Sequence, residues 1–334
     1  MSMKGKDVLD LLSLSPAEVE EIFCLTADLK QKQKAGIAHP LLQGKTLGMI
    51  FQKSSTRTRV SFEVGMYQLG GMALFLSAND LQMGRGEPIK DTGRVLSRYL
   101  DGIMIRTYAQ KDVEELAAWS SIPVINGLTD SHHPCQVLAD LFTVREKMGS
   151  LKGLKLAFLG DGFNMANSLM EGGARTGMHI VIATPPGYEP KPEIVARAQQ
   201  AAQETGGSIV VLNDPREAAT GADVLVTDVW SSMGHEAEHR ARLKAFGGYS
   251  LNSAMMAIAK PKAMVLHCLP AHRGEEISDE LFEAHAAEIF EGLYRLVIGH
   301  RDVLRSADVV QISVFRADAG VIETGRDGVY GRDL

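Results

Sequence analysis

The densest set of groups able to hold an anion is the run Phe51-Gln-Lys-Ser-Ser-Thr-Arg-Thr-Arg59. It follows an apolar stretch and precedes a helical pattern in which Val60, Val64 and Tyr67 fall at i, i+4 and i+7. The first turn of a helix leaves backbone N–H groups without intrahelical partners and carries partial positive charge. Hydroxyls at Ser55, Thr56 and Thr58, with Arg57 among them, would complete a phosphate cradle there. Arginine suits the task because its fork binds phosphate through two parallel hydrogen bonds. A plain Ser/Thr helix cap with solvated arginines would use the same residue types, but two arginines and four hydroxyls at one junction favour the anion. The P-loop pattern G-x-x-x-x-G-K-[ST] is absent.

Other candidate groups stand where apolar runs end. Arg106 closes G-I-M-I-R-T, and His133-Pro-Cys-Gln136 opens a helical stretch. His133 can donate to a carbonyl or phosphate oxygen, and Gln136 can add an amide donor; either could equally be a helix cap. Asp228-Val-Trp-Ser-Ser-Met-Gly234 ends a strand and becomes a Ser/Gly loop, so its carboxylate can hold an ammonium group while the loop closes. His267-Cys-Leu-Pro270 places a thiol at another strand end, to assist proton handling or simply to be buried. Its Leu269–Pro270 bond is a candidate cis peptide. Gly160-Asp-Gly162 imitates half of a dinucleotide fingerprint. Met165 replaces its third glycine, and Thr184-Pro185 stand where a ribose-binding acid is needed, so NAD is rejected. Asn164 and Asn167 remain able to bind a small polar ligand. No C-x-x-C pair occurs, and His132, His133, His267 and His272 have no zinc-site spacing.

These residues need strand ends to carry them. β-branched runs at 45–51, 72–76, 102–107 and 123–127 form one series of predicted strands, and 155–160, 179–184, 208–213, 223–229 and 263–269 a second. Several are almost continuously apolar, as strands buried on both faces are. Alternation with helical stretches predicts an α/β fold of two domains, each a mainly parallel sheet flanked by helices. The segment 134–150 bridges the two series as a helix, with Pro134 in its first turn, an apolar stripe of Val137, Leu138, Leu141 and Met148, and Gly149 as its C-terminal cap. The predicted division is 1–147, 148–297 and a C-terminal segment 298–334, whose end, 316–334, reads as a loop.

The chain has 334 residues, 45% of them hydrophobic and 23% charged, which fits an ordinary globular protein of about two domains. With 35 basic and 41 acidic residues the net charge is −6, which argues against a nucleic-acid partner. No apolar run reaches the ~20 residues of a membrane span, and the first residues do not read as a signal peptide. Three cysteines, Cys24, Cys135 and Cys268, make no disulfide framework and suit a reducing, cytoplasmic setting.

Taken in order, S-T-R-T-R, H-P-C-Q, D-x-x-x-S-M-G and H-C-L-P resemble the motifs of the aspartate/ornithine transcarbamylase family, on its ornithine branch. Leu81–Asp91 is similar to that family's intersubunit loop, and the resemblance spans about residues 5–296. It implies a carbamoyl phosphate domain followed by an ornithine domain, no metal or organic cofactor, and a homotrimer or multiple of trimers with active sites at subunit boundaries. It implies transfer of the carbamoyl group from carbamoyl phosphate to L-ornithine. By the resemblance, Ser55, Thr56, Arg57 and Thr58 bind phosphate, Gln82 reaches in from a neighbouring chain, and Arg106, His133 and Gln136 hold the carbamoyl end. Asn167, Asp228, Ser232 and Met233 hold ornithine, Cys268 and Leu269 lie where the substrates meet, and Arg295 contacts carbamoyl phosphate. Arg57, Arg106, His133 and Cys268 would be the catalytic set. The chain departs from the family's E-A-E-N-R-L segment at Glu291-Gly-Leu-Tyr-Arg-Leu296, and Phe163 stands where a polar residue is common.

Overall fold

A computed structural model describes residue 3 and residues 5–231, 238–291, 297–300 and 310–313. The chain opens with α1 (Pro16–Lys34), begun by a capping box: the Glu18 N–H donates to Ser15 Oγ at 3.3 Å, and the Ser15 N–H to Glu18 Oε2 at 2.7 Å. There follow β1 (Thr46–Phe51), α2 (Thr56–Gln68), β2 (Met72–Ser77), a 3₁₀ turn (Gln82–Arg85), α3 (Ile89–Leu96), β3 (Gly102–Arg106), α4 (Gln110–Trp119) and β4 (Val124–Leu128). These strands form a parallel sheet in the order β2-β1-β3-β4. After α5 (Pro134–Met148) come β5 (Lys155–Leu159), α6 (Asn164–Thr176), β6 (His179–Ala183), α7 (Pro192–Thr205), β7 (Ser208–Leu212), α8 (Pro215–Ala219), β8 (Val224–Thr227), α9 (His239–Phe246), α10 (Ser253–Met256) and β9 (Met264–His267). They build a second parallel sheet, β7-β6-β5-β8-β9. Two short helices, α11 (Asp279–Ala284) and α12 (Ala286–Glu291), follow.

All nine expected strands form, each within two residues of its predicted ends. The trimming matters at β8 and β9. Asp228, Cys268 and Leu269 fall just beyond the sheet, where their side chains and backbone groups are not committed to a ladder. Beyond the expected strands, β10 (Val297–His300) and β11 (Val310–Ser313) pair antiparallel and lie against α2 and α1. The tail 316–334 lies outside the described residues.

Two apolar patterns face outward. The stripe Val60, Val64 and Tyr67 does not pack inward; α2 buries Thr58, Phe62, Gly65 and Met66, and its own stripe faces out. Strand β2 is not buried on both faces but is an edge strand that exposes Met72, Leu74 and Phe75. In both cases apolar period alone does not distinguish a face turned to the core from one turned outward.

The bridge α5 is buried on all sides from Pro134 to Val144, more than the expected stripe. Its polar residues make this possible by bonding locally: Gln136 Nε2 donates to Asp140 Oδ1 at 3.0 Å, and Thr143 Oγ1 to the Ala139 carbonyl at 2.9 Å. One continuous core joins Val137, Leu138 and Leu141 of α5 to Ile22 and Phe23 of α1, Leu156 and Phe158 of β5, and Leu169 of α6. Each such fully buried side chain contributes roughly 1.5–3 kcal/mol, so the two sheets share a stiff junction. Both sheets turn the carboxyl ends of their strands toward one cleft, where α/β folds bind ligands.

The glycine pair near β5 also has a packing explanation. The Gly162 N–H donates to the Tyr188 carbonyl at 2.9 Å, and a Cβ there would collide with the backbone of Tyr188 and Pro190. Gly162→Ala is therefore expected to destabilise the chain by about 1–3 kcal/mol through overpacking, seen as a lower thermal midpoint. An unchanged midpoint would show that this close approach is not tight.

Candidate active site

The cleft between the sheets encloses about 130 Å³. On its first-sheet side, Ser55 caps α2 from an extended backbone, its Oγ accepting the Thr58 N–H at 3.2 Å and donating to Thr58 Oγ1 at 3.0 Å. Arg57 reaches across the gap, and its Nη2 donates to the Leu269 carbonyl at 2.8 Å. Arg106, at the end of β3, is buried, and its Nη1 lies 3.4 Å from Thr58 Oγ1. The Nε atoms of both arginines are buried without a hydrogen-bond partner among the described residues. Burial, and then repulsion from Arg57, push the Arg106 guanidinium down to about 10, against an opposing pull from Cys268. Two guanidinium groups at a helix N-terminus, neither with a carboxylate partner among the described residues, form a site that an anion would relieve.

Lys53 also lines this wall. It is ion-paired with Asp130, and its Nζ sits 4.2 Å from the centre of the Tyr108 ring. His133 opens α5 with its backbone N–H donating to Ser168 Oγ at 2.8 Å, and its buried side chain faces the cleft. Asn164 and Asn167 hold the loop before it: Asn164 Nδ2 donates to the Thr129 carbonyl at 2.9 Å, and Asn167 Nδ2 to the Ser131 carbonyl at 3.0 Å. Asn167 Oδ1 is left buried without a partner.

The facing wall comes from the second sheet. Asp228 Oδ1 accepts from the Cys268 thiol at 2.9 Å and from the Val229 N–H at 2.7 Å. Burial raises the Asp228 carboxyl, countered by these two hydrogen bonds. The Leu269–Pro270 peptide is cis, and Leu269 has φ 57°, in the left-handed region that branched side chains avoid.

The structure thus brings together Ser55, Arg57, Arg106, His133, Asp228, Cys268 and Leu269 around one cleft. Thr58 joins them through Ser55 and Arg106. Thr56 is exposed on the first turn of α2, and Gln82 is exposed on the 3₁₀ turn, so neither lines the cleft of this chain. Gln136 is fully buried, and the amide donor expected of it is directed to Asp140. Ser232, Met233 and Arg295 lie outside the described residues. Sequence reading missed Lys53, Ser54, Leu128, Val229 and Pro270 as lining residues and noted Phe163 and Asn164 only in passing. Every one follows or ends a strand or opens a helix, and the rule that ligands meet strand ends would have found them.

The fold also assembles Asp228, His267 and Cys268 with ligating atoms within 4.8 Å, a grouping that spacing does not reveal. His267 has both ring nitrogens engaged, by the Leu269 N–H at 2.8 Å and by Glu276 at 3.1 Å, so the trio as arranged offers no imidazole lone pair.

A family model described as the carbamoyl-P binding domain of aspartate/ornithine carbamoyltransferase matches residues 6–146. A second, described as the Asp/Orn binding domain, matches residues 152–298. Ornithine carbamoyltransferase of Syntrophotalea carbinolica is 59% identical over 286 residues, 86% of this chain and 93% of the relative. That of Thermococcus kodakarensis is 52% identical over 291 residues, 87% of this chain and 92% of the relative. Among solved structures, ornithine carbamoyltransferase from Pyrococcus furiosus superposes with a TM-score of 0.84 at 50% identity, covering 88% of this chain and 94% of that one. Anabolic ornithine carbamoyltransferase from Campylobacter jejuni gives 0.82 at 44% identity, covering 86% and 94%.

The raised carboxyl of Asp228 carries a stability consequence. An acid whose folded pKa lies above its unfolded value destabilises the fold once ionised, from above its ordinary pKa near 4 upward. Asp228→Asn keeps an acceptor oxygen for Cys268 and Val229 and is expected to raise the thermal midpoint at pH 7, with the gain vanishing below about pH 4. A lower midpoint at pH 7 would contradict the burial argument.

Proposed function

The chain belongs to the aspartate/ornithine carbamoyltransferase family, and from that premise we propose how its cleft performs the family's chemistry. The chain transfers the carbamoyl group of carbamoyl phosphate to the side-chain amine of L-ornithine, giving L-citrulline and phosphate. The observation that carries the assignment of roles is the meeting of Arg57 and Arg106 at the N-terminus of α2, opposite the Asp228–Cys268 pair.

Phosphate enters the cradle of Ser55, Arg57 and Thr58, with Thr56 contributing through its backbone N–H, where the first turn and the two guanidinium groups meet its charge. Arg106, Thr58 and His133 stabilise the negative charge that grows on the carbonyl oxygen during attack, as an oxyanion hole does. Gln136 stands behind His133 on α5 and holds the carbamoyl end, with Asp140 taking one of its amide hydrogens. Arg295 and, from a neighbouring chain, Gln82 complete the carbamoyl phosphate site.

Asp228 holds the α-ammonium of ornithine, with Asn167, Ser232 and Met233 around the amino-acid end. The attacking amine must be neutral, although a free alkylamine has a pKa near 10.4. Arg57 and Arg106 repel the protonated form. Before phosphate arrives, Arg57 occupies the Leu269 carbonyl. Once it turns to the dianion, that carbonyl is open to accept from the amine, with Cys268 beside it. Phosphate leaves into the cradle that bound it. Positioning and fixed charge do most of the work, and no step calls for a metal or organic cofactor.

Residues 1–147 form the carbamoyl phosphate domain and 148–297 the ornithine domain, with 298–334 as a C-terminal segment. The chain assembles as a homotrimer or a multiple of one. The support is the outward apolar surface of α2 and β2, where Val60, Val64, Met72, Leu74 and Phe75 are exposed along with Tyr67, itself 80% exposed. The 3₁₀ turn bearing Gln82 follows directly, so this surface and the contribution to a neighbour's cleft belong together. We place the protein in the cytoplasm; its three thiols are in no disulfide, and among the described residues no helix is long and apolar enough to cross a membrane.

A steady-state assay with ornithine, putrescine, aspartate and N-acetylornithine side by side tests the reading: ornithine is expected to be the preferred acceptor. A folded oligomer that makes no citrulline would refute it. Arg57→Ala is expected to lower turnover by at least about 100-fold, the loss typical of a transition-state donor; an unchanged rate removes Arg57 from the mechanism. Val64→Asp places a charge in the proposed subunit contact, and light scattering should show smaller species than the parent. Unaltered assembly would place the interface elsewhere.

A further inference from the structure

Behind the acceptor wall lie two fully buried side chains with no role in the chemistry above: His267, the last residue of β9, and Glu276. His267 Nδ1 lies 2.8 Å from the Leu269 backbone nitrogen, whose N–H can only donate. Nδ1 therefore presents its lone pair, the ring proton sits on Nε2, and Nε2 donates to Glu276 Oε1 at 3.1 Å. The same Oε1 accepts the His272 N–H at 2.6 Å. One carboxylate oxygen thus ties down both ends of the turn 268–271. Glu276 is itself anchored, because its backbone carbonyl accepts the Leu251 N–H at 2.8 Å.

The turn held this way contains Leu269 at φ 57°. That backbone is disfavoured for a residue with a side chain and persists only where its surroundings impose it. Its N–H is bound by His267, and its carbonyl accepts from Arg57 across the cleft. Without the His267 acceptor the turn is free to relax toward ordinary dihedrals, which would swing the carbonyl away from the cleft.

We propose that Glu276 and His267 are positioning residues for carbamoyl transfer: through the Nε2–H form of His267 they hold Leu269 in its left-handed backbone, so that its carbonyl faces the attacking nitrogen. This inference rests on the reaction assigned above. The competing reading is that the two residues merely fill a buried space.

The test compares variants that keep the acceptor with variants that keep only the volume. In His267→Asn the side-chain oxygen can accept the N–H two residues on, as in an Asx-turn. His267→Leu fills the space and offers no acceptor. We expect His267→Leu and Glu276→Leu to lower kcat by about 10–100-fold, as a misplaced reacting group does, and His267→Asn and Glu276→Gln to stay within about fivefold of the parent. The KM for carbamoyl phosphate should move by less than about threefold, since the phosphate cradle is untouched. Leucine variants as active as their polar counterparts would overturn the proposal in favour of packing. Should the leucine variants not fold, a folded His267→Asn with kcat reduced by more than about 50-fold overturns it equally. Nitrogen-15 NMR of the unliganded protein gives a reading independent of activity: the proposal requires a protonated Nε2 and an accepting Nδ1 at His267, and a protonated Nδ1 refutes it. A parent protein with the required ring signals but no citrulline formation would instead refute the reaction.

Discussion

Arg57 and Arg106 converge on one cleft from different elements, and neither has a carboxylate to neutralise it among the described residues. Like charges gathered in a partly buried space repel, and burial together with this repulsion pulls Arg106 down to about 10. The arrangement is tolerable because Arg57 meets the Leu269 carbonyl and Arg106 meets Thr58, yet both guanidinium groups keep a buried Nε without a partner among the described residues. The fold has built a place where a dianion is worth more than water can be. Everything else in the molecule either brings these cations together or gives the bound anion something to react with.

Bringing them together is the work of the two sheets. Arg57 stands on the first turn of the helix after β1, and Arg106 ends β3, the neighbouring strand. Their separation is set by strand spacing, which side-chain motion changes little. The acceptor wall belongs to β8 and β9, also neighbours, so Asp228 and Cys268 meet for the same reason. The buried helix α5 and the core it shares with α1, β5 and α6 then hold the two walls in register. His133, at the start of that helix, therefore sits where first sheet, second sheet and ligand meet.

The site is also where the structure accepts unfavourable local choices. Asp228 is a carboxylate in surroundings that resist its charge, and Leu269 has a backbone that its side chain disfavours. Such features persist because neighbouring groups over-determine them. They mark the acceptor wall as a place where stability is given up for geometry, in contrast to the glycine contact at Gly162, where close backbone packing serves the fold alone.

Much of this was legible without coordinates. Apolar runs of strand length, alternating with helical stretches, are direct consequences of burying a parallel sheet on both faces, so the nine strands of the two parallel sheets and the bridge α5 could be read from residue order. The anion cradle was legible because hydroxyls and arginines crowd one strand–helix junction. What one-dimensional order does not contain is which face of an element turns inward. The stripe Val60, Val64 and Tyr67 has helical period whether it meets a core or the outside, and β2 is apolar whether central or at an edge. Nor could spacing show that Asp228 and Cys268, forty positions apart, share a hydrogen bond, or that His267 and Glu276 clamp the turn at Leu269. Local pattern determines elements, because it reports each segment's own balance of burial and backbone preference. Tertiary packing alone decides pairings between distant segments, because a hydrogen bond or a charge repulsion depends on distances that no sequence interval measures.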